Sequence, residues 1–274
     1  MAAIEETFPI EGPVWFVGCG NMGGAMLRRW LDAGLDPARV TVIRKSGEAI
    51  APGVTVLTAP PADGAVPALV VLGVKPQVLD LVVPDLAPVL DRATLLVSML
   101  AGVETEALRR RFPAPHAILR VMPNTPIAIG RGVIALHGEG LDAAARARAE
   151  ALMAPLGRAE WVDERLFDVV TAMAGSGPAF LFRFVDALAA AGADAGLDAD
   201  QAARLALATV GGAAALAQGS PESPAALADR VASKGGSTRA GLDVLDEPSA
   251  LRALMRDTID AAILRNREMA AAAR

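Results

Sequence analysis

Two glycine-rich segments carry the residue types best suited to chemistry. The first is Gly18-Cys19-Gly20-Asn21-Met22-Gly23, which lies between the apolar run Val14–Val17 and a helical stretch from Met22 to Ala33. A strand followed by Gly-x-Gly-x-x-Gly and a helix is the setting of a phosphate-binding turn. The first glycine permits the tight turn, the second lets the backbone approach a pyrophosphate, and the third lets helix and strand pack closely. Unpaired N–H groups at the helix N-terminus then face the anion. A dinucleotide is the expected ligand, and a purely structural turn is the alternative. The second segment is Ser233-Lys234-Gly235-Gly236-Ser237-Thr238. Successive N–H groups there form a second anion site, unless the loop is only a helix entry capped by Thr238.

The end of the second apolar run selects the dinucleotide. An acidic residue at this place would accept hydrogen bonds from a ribose 2′-hydroxyl. The chain has Arg44-Lys45-Ser46 instead. Two cations and a hydroxyl suit an additional phosphate, so NADPH is expected in preference to NADH. Other candidates stand at further strand ends, which face the ligand crevice in an open α/β sheet. These are Gly73-Val74-Lys75-Pro76, Ala101-Gly102 and Met122-Pro123-Asn124. The prolines fix extended turns and leave neighbouring backbone groups free for a ligand. Asn124 reads either as a cofactor contact or as a turn residue held by its own side chain. His116 and His137 read as structural, and no metal site is expected.

The elements that position these residues follow from the apolar pattern. Val14–Val17, Val40–Ile43, Val54–Leu57, Leu69–Val74, Leu95–Leu100 and Ile118–Met122 are continuous apolar runs. Runs of this kind predict a parallel sheet covered on both faces, and their alternation with helical stretches predicts a doubly wound, Rossmann-like α/β domain. From Glu164 onward no strand is expected. Phe180–Ala195, Ala199–Ala217, Ala225–Ala232 and Ser249–Ala272 suit helices. They are Ala-rich and apolar around much of their circumference, which predicts burial against a partner subunit. The predicted domains are residues 1–163 and an all-helical 164–274.

Composition narrows the classes. The 274 residues are 53% hydrophobic and 21% charged, with a net charge of −5, enough to bury a core. The chain has no polybasic patch, so neither nucleic acid nor a membrane surface is an expected partner. Cys19 is the sole cysteine, the opening residues do not read as a secretory signal, and a cytoplasmic location is expected.

Taken in order, the motifs resemble pyrroline-5-carboxylate reductase. They are the Gly18 loop, Leu72-Gly73-Val74-Lys75-Pro76-Gln77, Arg120-Val121-Met122-Pro123-Asn124-Thr125-Pro126, Ala174-Gly175-Ser176-Gly177-Pro178 and Ser233–Thr238. The resemblance runs from about Val14 to Glu268, and Ser-x-Gly-Gly-x-Thr is its most specific part. It implies NADPH-dependent reduction of a cyclic C=N bond in the last step of proline biosynthesis, by homodimers that can assemble into decamers. It implies that Val74, Lys75 and Pro76 line the nicotinamide side, with Lys75 positioning rather than donating a proton. It further implies that Ser176 and the Ser233–Thr238 loop meet the substrate, whose carboxylate the loop holds, and that Thr238 bonds the imine nitrogen. An iminium accepts hydride readily, so orientation and exclusion of water are expected to supply most of the rate.

The chain departs from the family pattern at Lys234, where proline is usual. The stretches Met1–Gly12 and Ala59–Gly64 match no motif. Two other readings compete. A β-hydroxyacid dehydrogenase would need a lysine in the helix after Gly175-Ser176-Gly177, and that helix has none. A catalytically silent NADP sensor would not need the second loop.

Overall fold

The computed structural model describes residues 8–272. It divides into two compact units. One runs through Gly175 and also takes the chain from Ile263, and the other is Ser176–Ala262.

The first unit is built on eight strands among the described residues: β1 Val14–Val17, β2 Val40–Ile43, β3 Thr55–Leu57, β4 Leu69–Leu72, β5 Leu95–Ser98, β6 Ala117–Pro123, β7 Gly132–Glu139 and β8 Gly157–Trp161. Their order in the sheet is β3-β2-β1-β4-β5-β6-β7-β8. The helices are α1 Asn21–Asp32, α2 Leu79–Leu86, α3 Thr105–Arg111, α4 Ala143–Met153 and the short α5 Phe167–Val170. All four residues of β1 and of β4 are buried. Successive side chains alternate between the faces: Val14 and Phe16 join one core with Trp30 and Val71, while Trp15 and Val17 join another with Val70 and Phe112. Burial on both faces explains why these strands are continuous apolar runs.

The sheet is not wholly parallel. The first six strands run parallel, but β7 is antiparallel to β6, and β8 is parallel to β7. The reason is local. Only the eight residues 124–131 separate β6 from β7, among them a 3-10 turn, Thr125–Ile129, and Gly130 at φ 68°. A parallel crossover needs roughly a dozen residues or more. The sequence reading names neither β7 nor β8. β8 (Gly157-Arg158-Ala159-Glu160-Trp161) is a half-exposed edge strand with charges at alternate positions.

Helix α1 buries Met26, Leu27 and Trp30, and the Trp30 indole donates to Leu152 O at 2.8 Å. It stops at Gly34, whose φ of 96° needs glycine.

The second unit contains α6 Gly177–Asp194, α7 Ala199–Gln218, α8 Pro224–Val231, α9 Ser237–Asp246 and the first half of α10 Ala250–Ala272. Each helix covers a segment predicted as helical except α9, which follows the second glycine loop. Asp198 caps α7 by accepting from Gln201 N at 3.0 Å. Only Ala202 and Ala206 of α7 are fully buried, while Phe182, Phe184, Leu205, Leu207, Leu216 and Val244 stay exposed in the single chain. Among the described residues no helix is long and apolar enough to cross a membrane.

Candidate active site

β1 ends at Gly18, whose φ is 78° and whose N–H donates to Ile43 O at 2.9 Å. A Cβ there would lie 2.7 Å from Val74 Cγ1 and 2.9 Å from Gly73 C, so the turn admits no side chain. Gly20 stands just before α1, and a Cβ on it would meet nothing within 4 Å. That side is open. Gly24 N is the first amide of the turn paired in the helical pattern, to Gly20 O at 2.8 Å. The amides of Asn21, Met22 and Gly23 precede it and have no helical acceptor. Neither a capping side chain nor an acid occupies this first turn. The third glycine is less constrained than expected. A Cβ on Gly23 would make ordinary contacts at 3.6 Å with Cys19 Sγ and Gly18 O. The close approach occurs instead between Gly18 and Gly73, on neighbouring strand ends.

The loop borders two hollows beside the boundary between β1 and β4, where the strand order reverses. One, about 310 Å³, is lined by Gly20, Asn21, Met22, Val74, Met99 and Met122, among others. The other, about 340 Å³, is lined by Gly18, Arg44, Lys45, Thr58, Pro60 and Val78, among others. Val74 borders both. Together they form the crevice expected at such a switch point. Thr58, Ala59 and Pro60 have no sequence motif, yet they form one wall. Their only signal was a Pro-rich turn after β3.

Arg44 is fixed in this wall. Its amide donates to Leu57 O at 2.9 Å, and its guanidinium pairs with Glu48 at 3.0 Å. Lys45 and Ser46 are exposed, and Ser46 does not line the hollow. Burial pushes the Cys19 thiol up to about 11, against smaller opposing attraction from Arg44 and Arg28. Cys19 is therefore a neutral thiol at pH 7 and no nucleophile.

The remaining strand ends are more varied. Lys75 is exposed and begins a 3-10 turn with Pro76, where Val78 N donates to Lys75 O at 2.9 Å. Ala101 is exposed. Gly102 has φ 73°, and a Cβ there would lie 2.8 Å from Ala270 Cβ, so this glycine accommodates the end of α10. Asn124 is held by distant segments rather than by a turn of its own. Its side chain donates to Ala174 O at 3.0 Å and accepts from Val133 N at 2.9 Å. It joins three segments of chain and is almost wholly buried.

The second loop lies in the helical unit. Gly235 has φ 75°, which only glycine adopts readily. A Cβ on Gly236 would lie 2.6 Å from Ser233 Oγ. The Gly236 amide is occupied, donating to Ser233 O at 2.9 Å, and Ala240 N pairs with Gly236 O at 3.2 Å. The amides without a helical acceptor are therefore those of Ser237, Thr238 and Arg239. Gly236, not Thr238, occupies the cap position, and no side chain caps this helix. Thr238 is exposed, as are Ser233, Lys234 and Ser237. Arg239 does not add a cation to the loop, because Asp229, Asp243 and Asp246 pair with it at 3.2, 2.8 and 2.8 Å. Ser176, partly buried, follows a π-helical turn at Thr171–Gly175 and opens α6.

His137 lies in β7 with its Nδ1 3.2 Å from Val162 O and its ring edge-on to Phe167. His116 precedes β6. Neither lines the two hollows beside the glycine loop. Among the described residues no group of three or more His, Cys, Asp and Glu is placed to hold a metal ion.

Comparison with known proteins agrees with both halves of this arrangement. Residues 13–102 match the model described as NADP oxidoreductase coenzyme F420-dependent, and residues 164–269 match that for pyrroline-5-carboxylate reductase dimerisation. The chain is 41% identical to a pyrroline-5-carboxylate reductase of Synechocystis over 202 residues, 73% of this chain and 74% of the relative. It is 35% identical to one of Glycine max, across 96% of this chain and 99% of the relative. In fold it matches a pyrroline carboxylate reductase of Plasmodium falciparum solved with NADP bound, with a TM-score of 0.82 at 23% identity, covering 96% and 99% of the two chains. With a near full-length relative at this identity and the dimerisation model over its helical half, the chain belongs to the pyrroline-5-carboxylate reductase family of oxidoreductases.

Proposed function

We propose that this protein reduces the C=N bond of 1-pyrroline-5-carboxylate to give L-proline, with NADPH preferred over NADH. The observation that carries this reading is the pair of uncapped helix entries. Each follows a glycine loop, presents amides without helical acceptors, and has no acid in its first turn. One suits a pyrophosphate and the other a small carboxylate.

The residues of the first crevice fit a phosphorylated dinucleotide. The space beside Gly20 is open, and the amides of Asn21, Met22 and Gly23 would hold the pyrophosphate. Arg44, Lys45 and Ser46 would meet the 2′-phosphate, with Arg44 paired to Glu48 in the same hollow as Thr58 and Pro60. Gly73, Val74, Lys75 and Pro76 would border the nicotinamide side, joined by Ala101 and Gly102. When bound, the cofactor supplies a hydride. The backbone amides of Ser237 and Thr238 hold the substrate carboxylate, aided by Ser233, Gly235 and Gly236, which shape the loop, and by Ser176. The Thr238 hydroxyl accepts from the N–H of the protonated imine, which favours that form and orients the carbon that accepts hydride. Lys234, exposed beside this loop, adds charge near the carboxylate.

In this reading residues 1–163 form the cofactor domain, and residues 164–274 form the substrate and dimerisation domain of a homodimer. The match to the dimerisation model and the exposed apolar side chains of α6 and α7 support the dimer. Replacing Thr238 by Ala tests the site. Losing one hydrogen bond worth about 1–1.5 kcal/mol in the transition state lowers kcat roughly tenfold, with NADPH affinity unchanged. An unaltered kcat would remove Thr238 from the mechanism.

A further inference from the structure

One face of β6 does two jobs. Arg120, Met122 and Asn124 are two residues apart in extended chain, so they project to the same side. Met122 lines the hollow beside the phosphate loop. Its neighbours on either side bind the connecting segment Glu164–Gly175.

Arg120 is only 4% exposed. Its guanidinium donates to Glu164 Oε1 at 2.6 Å and lies 4.5 Å from the centre of the Phe167 ring. The same carboxylate oxygen accepts from Thr105 N and Thr105 Oγ1, both at 2.7 Å. A buried cation with so few alternatives to its partner is costly to leave unpaired. Asn124 acts at the other end of the segment. Its amide donates to Ala174 O within the π-helical turn Thr171–Gly175, and its oxygen accepts from Val133 N. π-helical turns are rare and concentrate at functional sites. Here the irregular backbone is tied by a side chain from a strand rather than left to its own helix.

We propose that Arg120 and Asn124 are positioning residues for hydride transfer, a reading that rests on the proposed reductase activity. They tie the segment Glu164–Gly175, from which the chain continues to Ser176, to the strand whose end lines the nicotinamide side of the crevice. Neither touches the reacting atoms in this assignment. Small losses of registration are expensive in a reaction that depends on orientation.

Asn124→Asp separates the two bonds of that side chain. It keeps an acceptor for Val133 N–H and deletes the donor to Ala174 O. Arg120→Lys keeps the charge and loses the fork over Phe167. For each variant three quantities are measured: kcat with pyrroline-5-carboxylate, NADPH dissociation by fluorescence, and the isotope effect on kcat with NADPH deuterated at the transferred position. Amide hydrogen exchange over Glu164–Gly175 is followed in the cofactor-free protein. The expected result is a roughly tenfold or greater fall in kcat, NADPH affinity within about twofold, a larger isotope effect and faster exchange in the segment. Unchanged kcat, or a loss confined to NADPH affinity, overturns the positioning role, as does unchanged exchange in both variants. If the unaltered protein fails to reduce pyrroline-5-carboxylate, the functional reading falls instead, while the exchange measurement still decides whether β6 ties the segment.

Discussion

Gly18 and Gly73 meet so closely that a Cβ on Gly73 would lie 2.6 Å from the Gly18 carbonyl oxygen. The contact joins the ends of β1 and β4 at the point where the sheet reverses its order. A backbone atom cannot swing aside as a side chain can, so neither glycine has a substitute.

This contact separates two kinds of glycine in one crevice. Gly73→Ala must push the Gly18 turn aside and costs about 1–3 kcal/mol, lowering Tm by about 2–4 °C for each kcal/mol in a chain of this size. Gly20→Ala meets no protein atom and leaves Tm unchanged. Its methyl instead enters the open space where the pyrophosphate is proposed to bind, so NADPH affinity is expected to fall about tenfold or more. Thermal melts with and without NADPH read both effects. Equal loss of Tm in the two variants without NADPH would contradict the distinction.

The proposed preference for NADPH rests on Arg44 and Lys45. Charge-assisted hydrogen bonds to a phosphate contribute about 1.5–3 kcal/mol. Arg44→Ala is therefore expected to raise KM for NADPH by roughly 10- to 100-fold and to leave KM for NADH nearly unchanged. Steady-state kinetics with both cofactors provide the check. A parallel rise for both would mean that Arg44 holds the wall of the crevice and does not read the phosphate.

Much of this arrangement was legible in the sequence because its causes are local. Buried strands such as Val14–Val17 must be apolar on both faces, and the tight turn at Gly18 follows from glycines placed between a strand and a helix. Other parts depend on distant residues. The alternating charges of Arg158 and Glu160 conceal β8 because it is an edge strand. Ala59 and Pro60 become a wall only after β3 has docked beside β2. The side-chain bonds of Asn124 were not legible locally, since its partners Val133 and Ala174 come from other segments. The buried charge of Arg120 has its counter-ion 44 residues away in the chain, and no spacing rule reaches that far. At the second loop, the turn itself consumes the Gly236 amide, which donates to Ser233 O.

The Glu164 carboxyl should make stability pH-dependent. Burial alone raises its pKa, but the bonds from Thr105 and Arg120 outweigh burial and hold it below its ordinary value of 4.5. The folded value is depressed, so the contribution is complete above 4.5 and disappears as pH falls through the lower folded value. Glu164→Gln is expected to lower Tm near neutral pH, and the gap to the unaltered protein should narrow as pH falls below 4.5. A gap constant between pH 3 and pH 7 would show that charge on Glu164 does not matter to the fold.

The central claim is that two glycine loops serve one imine reduction. The most direct test follows absorbance at the NADPH band in three reactions: pyrroline-5-carboxylate with NADPH, 3-hydroxyisobutyrate with NADP, and cofactor alone. The account predicts rapid NADPH oxidation in the first, with proline as product, and no change in the other two. Turnover of 3-hydroxyisobutyrate, or no proline from pyrroline-5-carboxylate, would contradict it.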